Sequence, residues 1–472
     1  MPPAALSRNE CPKHVRAESG LTPASPRAPG RAVRASARLL AGAGCALLAL
    51  GAPAARANPF ELYGFTPRAT ALGGASVALG DDLGASFYNP AGLLGHTKTE
   101  FGIGFADTVS DLHIDRSSTT STVPNGFVDA APRFELGLIF PLGGAILKDR
   151  VVIGISGGHP LGSLVRVQTI DQSRPQFYMY QSKPQRFALA GSIGIKIIDG
   201  LSIGGGVQIT AQQIGTVHFA LDVAARRFTA REITVDLKTV PTGIAGILIQ
   251  PANWLNIGLS WRQESSLYFE QPTDIDLGDI GDLKLGVNGI AQYWPHVFSG
   301  GFTVKPTSKL LVSAQVDYLL WHRAPQDQVQ VTITPSGPVL DGLGLSSVLG
   351  FGSQDAHPQF ANIFIPRLGV EYAAREWLTV RGGAWLRPAV TPDQIGTTNY
   401  LDNFTESVSA GVTFRFKDPL EVFSDPVAFD VAGAFMHANE RVSQKTQQLD
   451  PTGSYSFGGN LVTMSAMLRY LY

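Results

Sequence analysis

Arginines recur on one face of alternating segments of the chain, and acidic residues recur on the same faces. The basic set is Arg186, Arg262, Arg367, Arg381, Arg387, Arg415 and Arg469. The acidic set is Glu135, Asp317, Glu371 and Asp430. A guanidinium group can bind a carboxylate through two parallel hydrogen bonds. The set is interpreted either as ion pairs in a polar interior or as one or two ligands for a substrate carboxylate, and no single arginine is assigned as that ligand.

No motif for catalysis, phosphate binding or metal binding is recognised. The sequence contains neither His-Glu-x-x-His nor a Gly-Lys-Ser phosphate loop, and its histidines are not spaced as ligand pairs. Asp81 and Asp82 are adjacent acids, but a turn or a contact to an arginine explains such a pair better than general acid and base chemistry. We therefore predict no enzyme activity, no catalytic residues, no metal site and no cofactor.

The segments that carry these side chains alternate with a period of two residues, which is typical of β-strands. In one such segment Ile257 and Leu259 share an apolar face, whereas Asn256 and Ser260 share a polar face. An antiparallel soluble sandwich alternates in the same way, so this pattern alone leaves the fold class open.

The connections between these segments alternate strictly between short and long. Short connections lie near residues 143–148, 198–200, 250–253, 306–309, 373–376 and 418–425. Long, irregular segments are expected at 110–132, 160–184, 215–240, 263–295, 322–362, 388–405 and 439–459. Tight turns at one rim and long loops at the other are typical of a transmembrane barrel, which must close because an open edge leaves backbone groups unpaired in hydrocarbon. The sequence therefore predicts an all-β fold, an antiparallel transmembrane β-barrel of about 14 strands over residues 97–472.

The composition agrees with a sheet that faces lipid. Charged residues make up 16% of the chain, below the roughly 25% of soluble domains, and 52 residues are glycine. The 37 basic residues are balanced by 38 acidic residues, so the charge gives no reason to expect a nucleic-acid partner.

Aromatic residues mark the ends of several predicted strands. Candidates for the aromatic girdles of a membrane barrel are Trp254, Trp261, Trp321, Trp377 and Tyr372. Trp385 lies between Arg381 and Arg387 on the polar face, so its ring is predicted to point into the interior. The last segment ends on Tyr472, and outer-membrane barrels characteristically finish on a strand with an aromatic terminal residue.

Residues 1–57 are predicted to be a leader and signal peptide. Three arginines precede an apolar run at residues 39–52, and small residues before Asn58 offer a cleavage point. A retained membrane anchor and a lipoprotein based on Cys45 are the alternatives. Both cysteines, Cys11 and Cys45, precede the predicted cut, so the mature chain is expected to contain no disulfide.

One stretch before the alternating segments lacks their pattern and is rich in glycine and alanine. It runs from Gly73-Gly74-Ala75 through Asp81-Asp82 to Phe87-Tyr88-Asn89-Pro90-Ala91-Gly92. This stretch resembles the N-terminal hatch of the long-chain fatty acid transporters of the bacterial outer membrane, the FadL family. The resemblance implies a hatch over residues 58–96 inside the barrel, with Phe87, Asn89, Pro90 and Ala91 as hatch or gate residues.

The resemblance also implies a route for the cargo. Members of the family release substrate sideways through a kink in the third strand, which corresponds here to residues 151–159. Gly157 and Gly158 are the candidates for that lateral opening, because glycine interrupts strand ladders. An apolar groove that admits the substrate would be formed by residues 215–240 and 263–295.

The function expected from this reasoning is passive uptake of hydrophobic molecules across the bacterial outer membrane, with long-chain fatty acids as the leading cargo. Uptake of aromatic hydrocarbons by the same fold and a non-transporting structural or adhesive barrel are the alternatives. The expected partners are a hydrophobic small molecule and the lipid and lipopolysaccharide of the outer membrane. The protein is expected to act as a monomer.

Overall fold

The structure is a computed structural model that describes residues 60–116, 130–144, 147–161, 174–180, 187–222, 227–324, 329–344, 349–352, 359–394, 398–418, 425–445 and 452–472. The predicted leader and Arg186 lie outside the described residues. Within these ranges no helix is both long enough and apolar enough to cross a membrane.

The described residues form twenty β-strands. They are β1 (Glu100–Asp115), β2 (Arg133–Pro141), β3 (Val151–Pro160), β4 (Gln176–Phe177), β5 (Ala188–Ile198), β6 (Leu201–Asp222), β7 (Arg227–Ala252), β8 (Leu255–Arg262), β9 (Ser265–Asp276), β10 (Asp282–Trp294), β11 (Val297–Val304), β12 (Leu310–Leu319), β13 (Val329–Ser336), β14 (Leu349–Gly352), β15 (Ile363–Arg375), β16 (Leu378–Arg387), β17 (Tyr400–Leu401), β18 (Thr405–Phe416), β19 (Val427–Ser443) and β20 (Tyr455–Leu471). The short helices are α1 (Phe60–Tyr63), α2 (Pro67–Ala71), α3 (Ala85–Tyr88) and α4 (Pro338–Gly342), with 3₁₀ turns at Pro90–Gly95, Gly278–Ile280 and Trp321–Arg323.

Fourteen strands close into one antiparallel barrel, which confirms the predicted fold class. Around the wall their order is β1, β2, β3, β5, β6, β7, β8, β11, β12, β15, β16, β18, β19 and β20. The seam is the pairing of β1 with β20, which runs from Glu100 opposite Leu471 to Asp115 opposite Ser456. The wall therefore has no open edge.

The outer face of the barrel is apolar, and the inner face is polar. Leu259 on β8 is 49% exposed, whereas its neighbour Ser260 is buried. On β20 the same alternation leaves Met464 67% exposed and buries Thr463 and Ser465. An exposed apolar band over a polar interior is the pattern of a barrel in lipid.

The position of Leu259 gives a direct test of the membrane face. Replacing Leu259 with arginine is expected to lower the free energy of unfolding in lipid vesicles by about 2–4 kcal/mol, because a charge would face the middle of the bilayer. Ile198, exposed at the end of β5, is the matched position. Arginine there is expected to cost about 0–1 kcal/mol, since it lies near the interface. Equal losses in the two variants would contradict this placement of the membrane.

Two of the long segments predicted to be irregular are hairpins instead. β6 and β7 remain paired as far as Asp222 opposite Arg227, so the region 215–240 continues two barrel strands. In the region 263–295, β9 pairs with β10, which also pairs with β13. The prediction of irregular loops is wrong here because β-branched residues recur in these regions, and their backbone groups pair in ladders.

Residues 60–96, here called the hatch, fold inside the wall. Thr66 begins α2 by accepting a hydrogen bond from the Ala69 amide at 3.3 Å, and Pro67 stands at the first helical position. Gly73 and Gly74 then adopt φ of +62° and +75°, which turns the chain away from α2.

The hatch touches the wall at glycines on most of the barrel strands. A Cβ on Gly246 would lie 1.9 Å from Asn89 Oδ1, and one on Gly204 would lie 2.4 Å from the Ala91 amide nitrogen. The other wall glycines whose added Cβ would come within 3 Å of the hatch are Gly102, Gly137, Gly154, Gly194, Gly258, Gly301, Gly369, Gly383 and Gly411. The hatch backbone therefore occupies the lumen in direct contact with the wall backbone.

Candidate functional site

Asn89 ties the hatch to the wall. Its side-chain nitrogen donates to the Val77 carbonyl at 2.7 Å and to the Ile247 carbonyl on β7 at 3.0 Å. Its side-chain oxygen accepts from the Ala91 amide at 3.1 Å. Pro90 follows at the start of the 3₁₀ turn, where its missing N–H costs nothing. Asn89, Pro90 and Ala91, which were predicted to be hatch residues, thus form one buried connection between the hatch and β7.

A chain of ionic contacts holds the opposite side of the hatch. It runs from Asp81 to Arg68, Glu371, Arg381, Asp430, Arg469, Glu100 and His96. Arg68 donates to Glu371 from Nε at 2.9 Å and from Nη2 at 3.1 Å. Asp81 and Arg68 at one end of this chain and His96 at the other belong to the hatch, and the residues from Glu371 to Glu100 along it belong to wall strands. The hatch is therefore bound directly to β15 and β1, whose carboxylates are linked to each other through Arg381, Asp430 and Arg469 of the wall.

The adjacent acids of the hatch have separate structural roles. Arg68 holds the pKa of Asp81 far below its ordinary value. Burial raises the pKa of Asp82, whose carboxylate accepts a hydrogen bond from the Gly84 amide at 2.7 Å. The contacts agree with the interpretation of this pair as a turn and an arginine contact.

A cavity lies between the hatch and the wall. Its apolar and aromatic lining comes from Leu62, Tyr63, Phe87, Tyr88, Met179, Trp294, Val297, Leu319, Ile365, Trp385 and Met436. Its charged lining is Arg262, Arg367, Arg387 and Asp317. Trp385 points into the interior, as predicted, and its ring lies 5.8 Å from the Arg367 guanidinium carbon. Such a mainly apolar cavity with a few polar groups is suited to a hydrophobic ligand.

Two of the cavity arginines are bound by wall or loop carboxylates. Arg367 donates to Asp317 at 2.6 Å and to the Gly73 carbonyl of the hatch at 3.1 Å. Arg387 binds Asp402 with both terminal nitrogens, at 3.0 and 2.7 Å, and both side chains are buried. These contacts agree with the interpretation of the recurring charges as ion pairs within the lumen.

Arg262 has a different environment at the cavity. Its guanidinium carbon lies 4.6 Å from the centre of the Phe87 ring, which is the geometry of a cation–π contact. It also donates to the Phe87 carbonyl at 3.4 Å. Arg262 therefore joins β8 to α3 at the cavity wall.

Gly157 and Gly158, predicted to form a lateral opening, lie within an unbroken ladder. Gly157 pairs with Leu136 on β2 and Leu189 on β5, and Gly158 pairs on both sides as well. The third strand is therefore continuous at these glycines in this conformation, and their role in a lateral opening stays a prediction. A second, smaller cavity lies beside Gly157 and is lined by Phe65, Phe87, Ser156, Ala188, Ala190 and Gln208.

The connections after β3 and β16 meet in an aromatic cluster. β4 and β17 pair in parallel, and Tyr178 packs edge-on against Tyr400 with ring centres 5.5 Å apart. Trp321 is 1% exposed and lies 6.0 Å from Tyr178. The prediction that Trp321 belongs to an interfacial girdle is wrong, because its ring packs inside this cluster and does not reach lipid. Trp254 and Trp377 are exposed as predicted.

Sequence reasoning missed three residues that shape the site. Arg68 had a usable signal, since it is the one basic residue between Phe60 and Gly95. Asp402 and Met179 had none, because each lies in a connection whose position over the lumen depends on the pairing of β4 with β17.

Two stretches with the pattern Gly-x-Ser-x-Gly occur, at residues 154–158 and 200–204. Both lie along β-strands, with Ser156 in β3 and Ser202 in β6. A nucleophile elbow requires a sharp turn from a strand into a helix, so neither stretch has the geometry of a hydrolase site.

A closed barrel with an apolar outside, a hatch in its lumen and an apolar cavity between them defines an outer-membrane channel for hydrophobic compounds. The family model of outer membrane protein transport protein (OMPP1/FadL/TodX) matches residues 48–470, and the chain belongs to this family. It is accordingly a transport protein of the bacterial outer membrane and not an enzyme.

Similar proteins agree with this assignment. Alkane uptake protein A of Marinobacter nauticus is 24% identical over 437 residues, which cover 88% of this chain and 91% of that protein. Among solved structures, a Pseudomonas aeruginosa FadL homologue is 17% identical with a TM-score of 0.53, covering 89% of this chain and 98% of its own. The toluene transporter TodX of Pseudomonas putida is 13% identical with a TM-score of 0.56, covering 87% and 99%. At these identities the structural likeness establishes the fold.

Proposed function

We propose that the cavity between the hatch and the wall binds the cargo during passive uptake, and that an uncharged hydrocarbon suits it better than the long-chain fatty acid expected from the sequence. The observation that carries this proposal is the pairing of Arg367 with Asp317 and of Arg387 with Asp402. A substrate carboxylate that displaced Asp402 would leave a buried charge without its partner, at a cost of about 3–5 kcal/mol. A neutral hydrocarbon needs no such exchange.

The name of one relative supports the same cargo class. Alkane uptake protein A is similar to this chain over most of its length. The toluene transporter TodX shares the fold. An alkane or an aromatic hydrocarbon is therefore the first candidate for the cargo.

A long-chain fatty acid is the second candidate, and Arg262 favours it. The guanidinium of Arg262 lines the cavity and lies over the Phe87 ring. A carboxylate that reached this guanidinium would form a charge-assisted hydrogen bond with its donors. The apolar chain would then lie along the aromatic lining.

The remaining steps of the route are proposed from the sequence. Residues 58–96 act as the hatch, Phe87 and Asn89 to Ala91 act at its gate, and the cargo leaves sideways near Gly157 and Gly158. The barrel works as a monomer among the lipid and lipopolysaccharide of the outer membrane. Lateral release spares the cargo the aqueous side, where each exposed methylene costs about 0.8 kcal/mol.

Uptake by vesicles that contain the purified protein tests the cargo. Hexadecane is expected to enter faster than it enters vesicles without protein, and Arg262→Gln is expected to change oleate uptake by less than about twofold. A loss of oleate uptake of about tenfold in Arg262→Gln corresponds to about 1.4 kcal/mol and would assign a fatty acid to the cavity. Arg375→Gln, at an exposed arginine that donates to the Ala374 carbonyl, is the matched control. Uptake equal to that of empty vesicles for both compounds would favour a structural or adhesive barrel.

A further inference from the structure

We propose that the side chain of Phe87 is the moving partition of this channel, and that the hatch backbone around it stays in place while cargo passes. The proposal rests on the proposed uptake function and adds the residue that controls the step from the cavity to the wall. It differs from a displacement of the whole hatch, because only one ring has to turn.

Phe87 stands between the two cavities of the site. Phe87 lines both the cavity between the hatch and the wall and the smaller cavity beside Gly157. Of the lining residues named for the two cavities, Phe87 is the one they share. The smaller cavity lies against β3 and β5, where Gly157, Ala188 and Ala190 present little side chain. The Phe87 ring therefore separates the two cavities, and a turn of the ring would join them.

The backbone on either side of Phe87 is fixed by buried hydrogen bonds. The Ser86 carbonyl accepts from Ser192 Oγ on β5 at 3.0 Å. Asn89, two residues after Phe87, is bonded to Val77 and to Ile247. On the far side of the lumen Arg68 of the hatch contacts Glu371 on β15, and His96 of the hatch contacts Glu100 on β1. A movement of the whole hatch has to break these contacts together, whereas a rotation of one side chain breaks none of them.

The Phe87 ring itself is held by contacts that a side-chain rotation can exchange. Arg262 lies over the ring face, Tyr88 packs against it edge-on with ring centres 5.1 Å apart, and Phe65 lies at 6.3 Å. The guanidinium of Arg262 also holds the Phe87 carbonyl, so it can remain on the backbone while it leaves the ring. Arg262 is thus placed as the residue that keeps the partition closed.

A cysteine in the smaller cavity measures whether the partition is closed, without any cargo. Both natural cysteines, Cys11 and Cys45, are replaced by serine, and Ala190→Cys is labelled with N-ethylmaleimide added to the protein in vesicles. Phe87→Ala is expected to raise the labelling rate by about fivefold or more, and Arg262→Gln is expected to raise it by a smaller factor, because both open the gate. Phe87→Leu keeps an apolar side chain and is expected to lie between wild type and Phe87→Ala.

Phe298→Ala is the matched control, since Phe298 is exposed on the outer face of β11. This variant is expected to label at the wild-type rate. Folding of each variant is checked by its mobility on gels before and after heating. Equal labelling rates for wild type, Phe87→Leu and Phe87→Ala would overturn the proposal.

The variant Glu371→Ala separates a turning ring from a moving hatch, because it removes the carboxylate that Arg68 of the hatch binds at 2.9 and 3.1 Å. Its Ala190→Cys form is expected to label within about twofold of the wild-type rate, because the gate does not use that contact. A labelling rate as high as that of Phe87→Ala would overturn the proposal. Absence of hexadecane and oleate uptake in wild type would refute the proposed function, while the labelling rates would still decide the role of Phe87.

Discussion

Replacing Glu371 with alanine is expected to lower the free energy of unfolding by about 3–5 kcal/mol, the cost of leaving buried charges without a partner. Glu371 accepts hydrogen bonds from Arg68 of the hatch at 2.9 and 3.1 Å and from Arg381 of the wall at 2.5 Å. Both arginines are buried. Denaturant unfolding in lipid vesicles, followed by tryptophan fluorescence, measures the effect.

Glu406→Ala is the matched control for the Glu371 prediction. Glu406 is exposed on β18, and its carboxylate accepts one long hydrogen bond of 3.4 Å from Asn439. Its removal is expected to change the free energy of unfolding by less than about 0.5 kcal/mol. Equal losses in the two variants would show that the ionic chain contributes nothing specific to stability.

Replacing Asn89 with alanine is expected to make the channel leak polar solutes. The change leaves the Val77 and Ile247 carbonyls and the Ala91 amide without their partner, and an unpaired buried group costs about 1–3 kcal/mol. A loss of only 1.4 kcal/mol raises the population of hatches released from β7 about tenfold. Ion conductance across planar bilayers measures this population.

Asn362→Ala is the control for the leak. Asn362 precedes β15 and bonds His322 and Tyr318, away from the hatch. Conductance at the wild-type level is expected for this variant. If Asn89→Ala also conducts at that level, the asparagine does not keep the hatch seated.

The barrel was predictable because lipid imposes a rule on every residue of the wall. Ile257 and Leu259 against Asn256 and Ser260 already distinguish the outer face from the inner face, and the strict order of short and long connections requires an even, closed wall. The hairpins at 215–240 and 263–295 were missed because a strand that extends beyond the membrane no longer needs an apolar outer face. The sequence of such a strand then resembles that of a polar loop.

The partners within the lumen were not predictable from the sequence. Arg68 and Glu371 are separated by 303 positions, and Arg367 and Asp317 by 50 positions. The alternation shows that these side chains point inward, but barrel shear and the path of the hatch decide which of them meet. The sequence therefore predicts a polar lumen without predicting which group each arginine contacts.

The wall glycines have a consequence for any attempt to exchange parts between relatives. At Gly204, Gly246 and Gly258 an added Cβ would lie 2.4, 1.9 and 2.1 Å from the nearest hatch atom. The inner surface of the wall is therefore complementary to this particular hatch. A chimaera that joined this hatch to a foreign wall would need glycine at the corresponding wall positions. Hatch and wall therefore have to be exchanged together, although they are consecutive in the sequence.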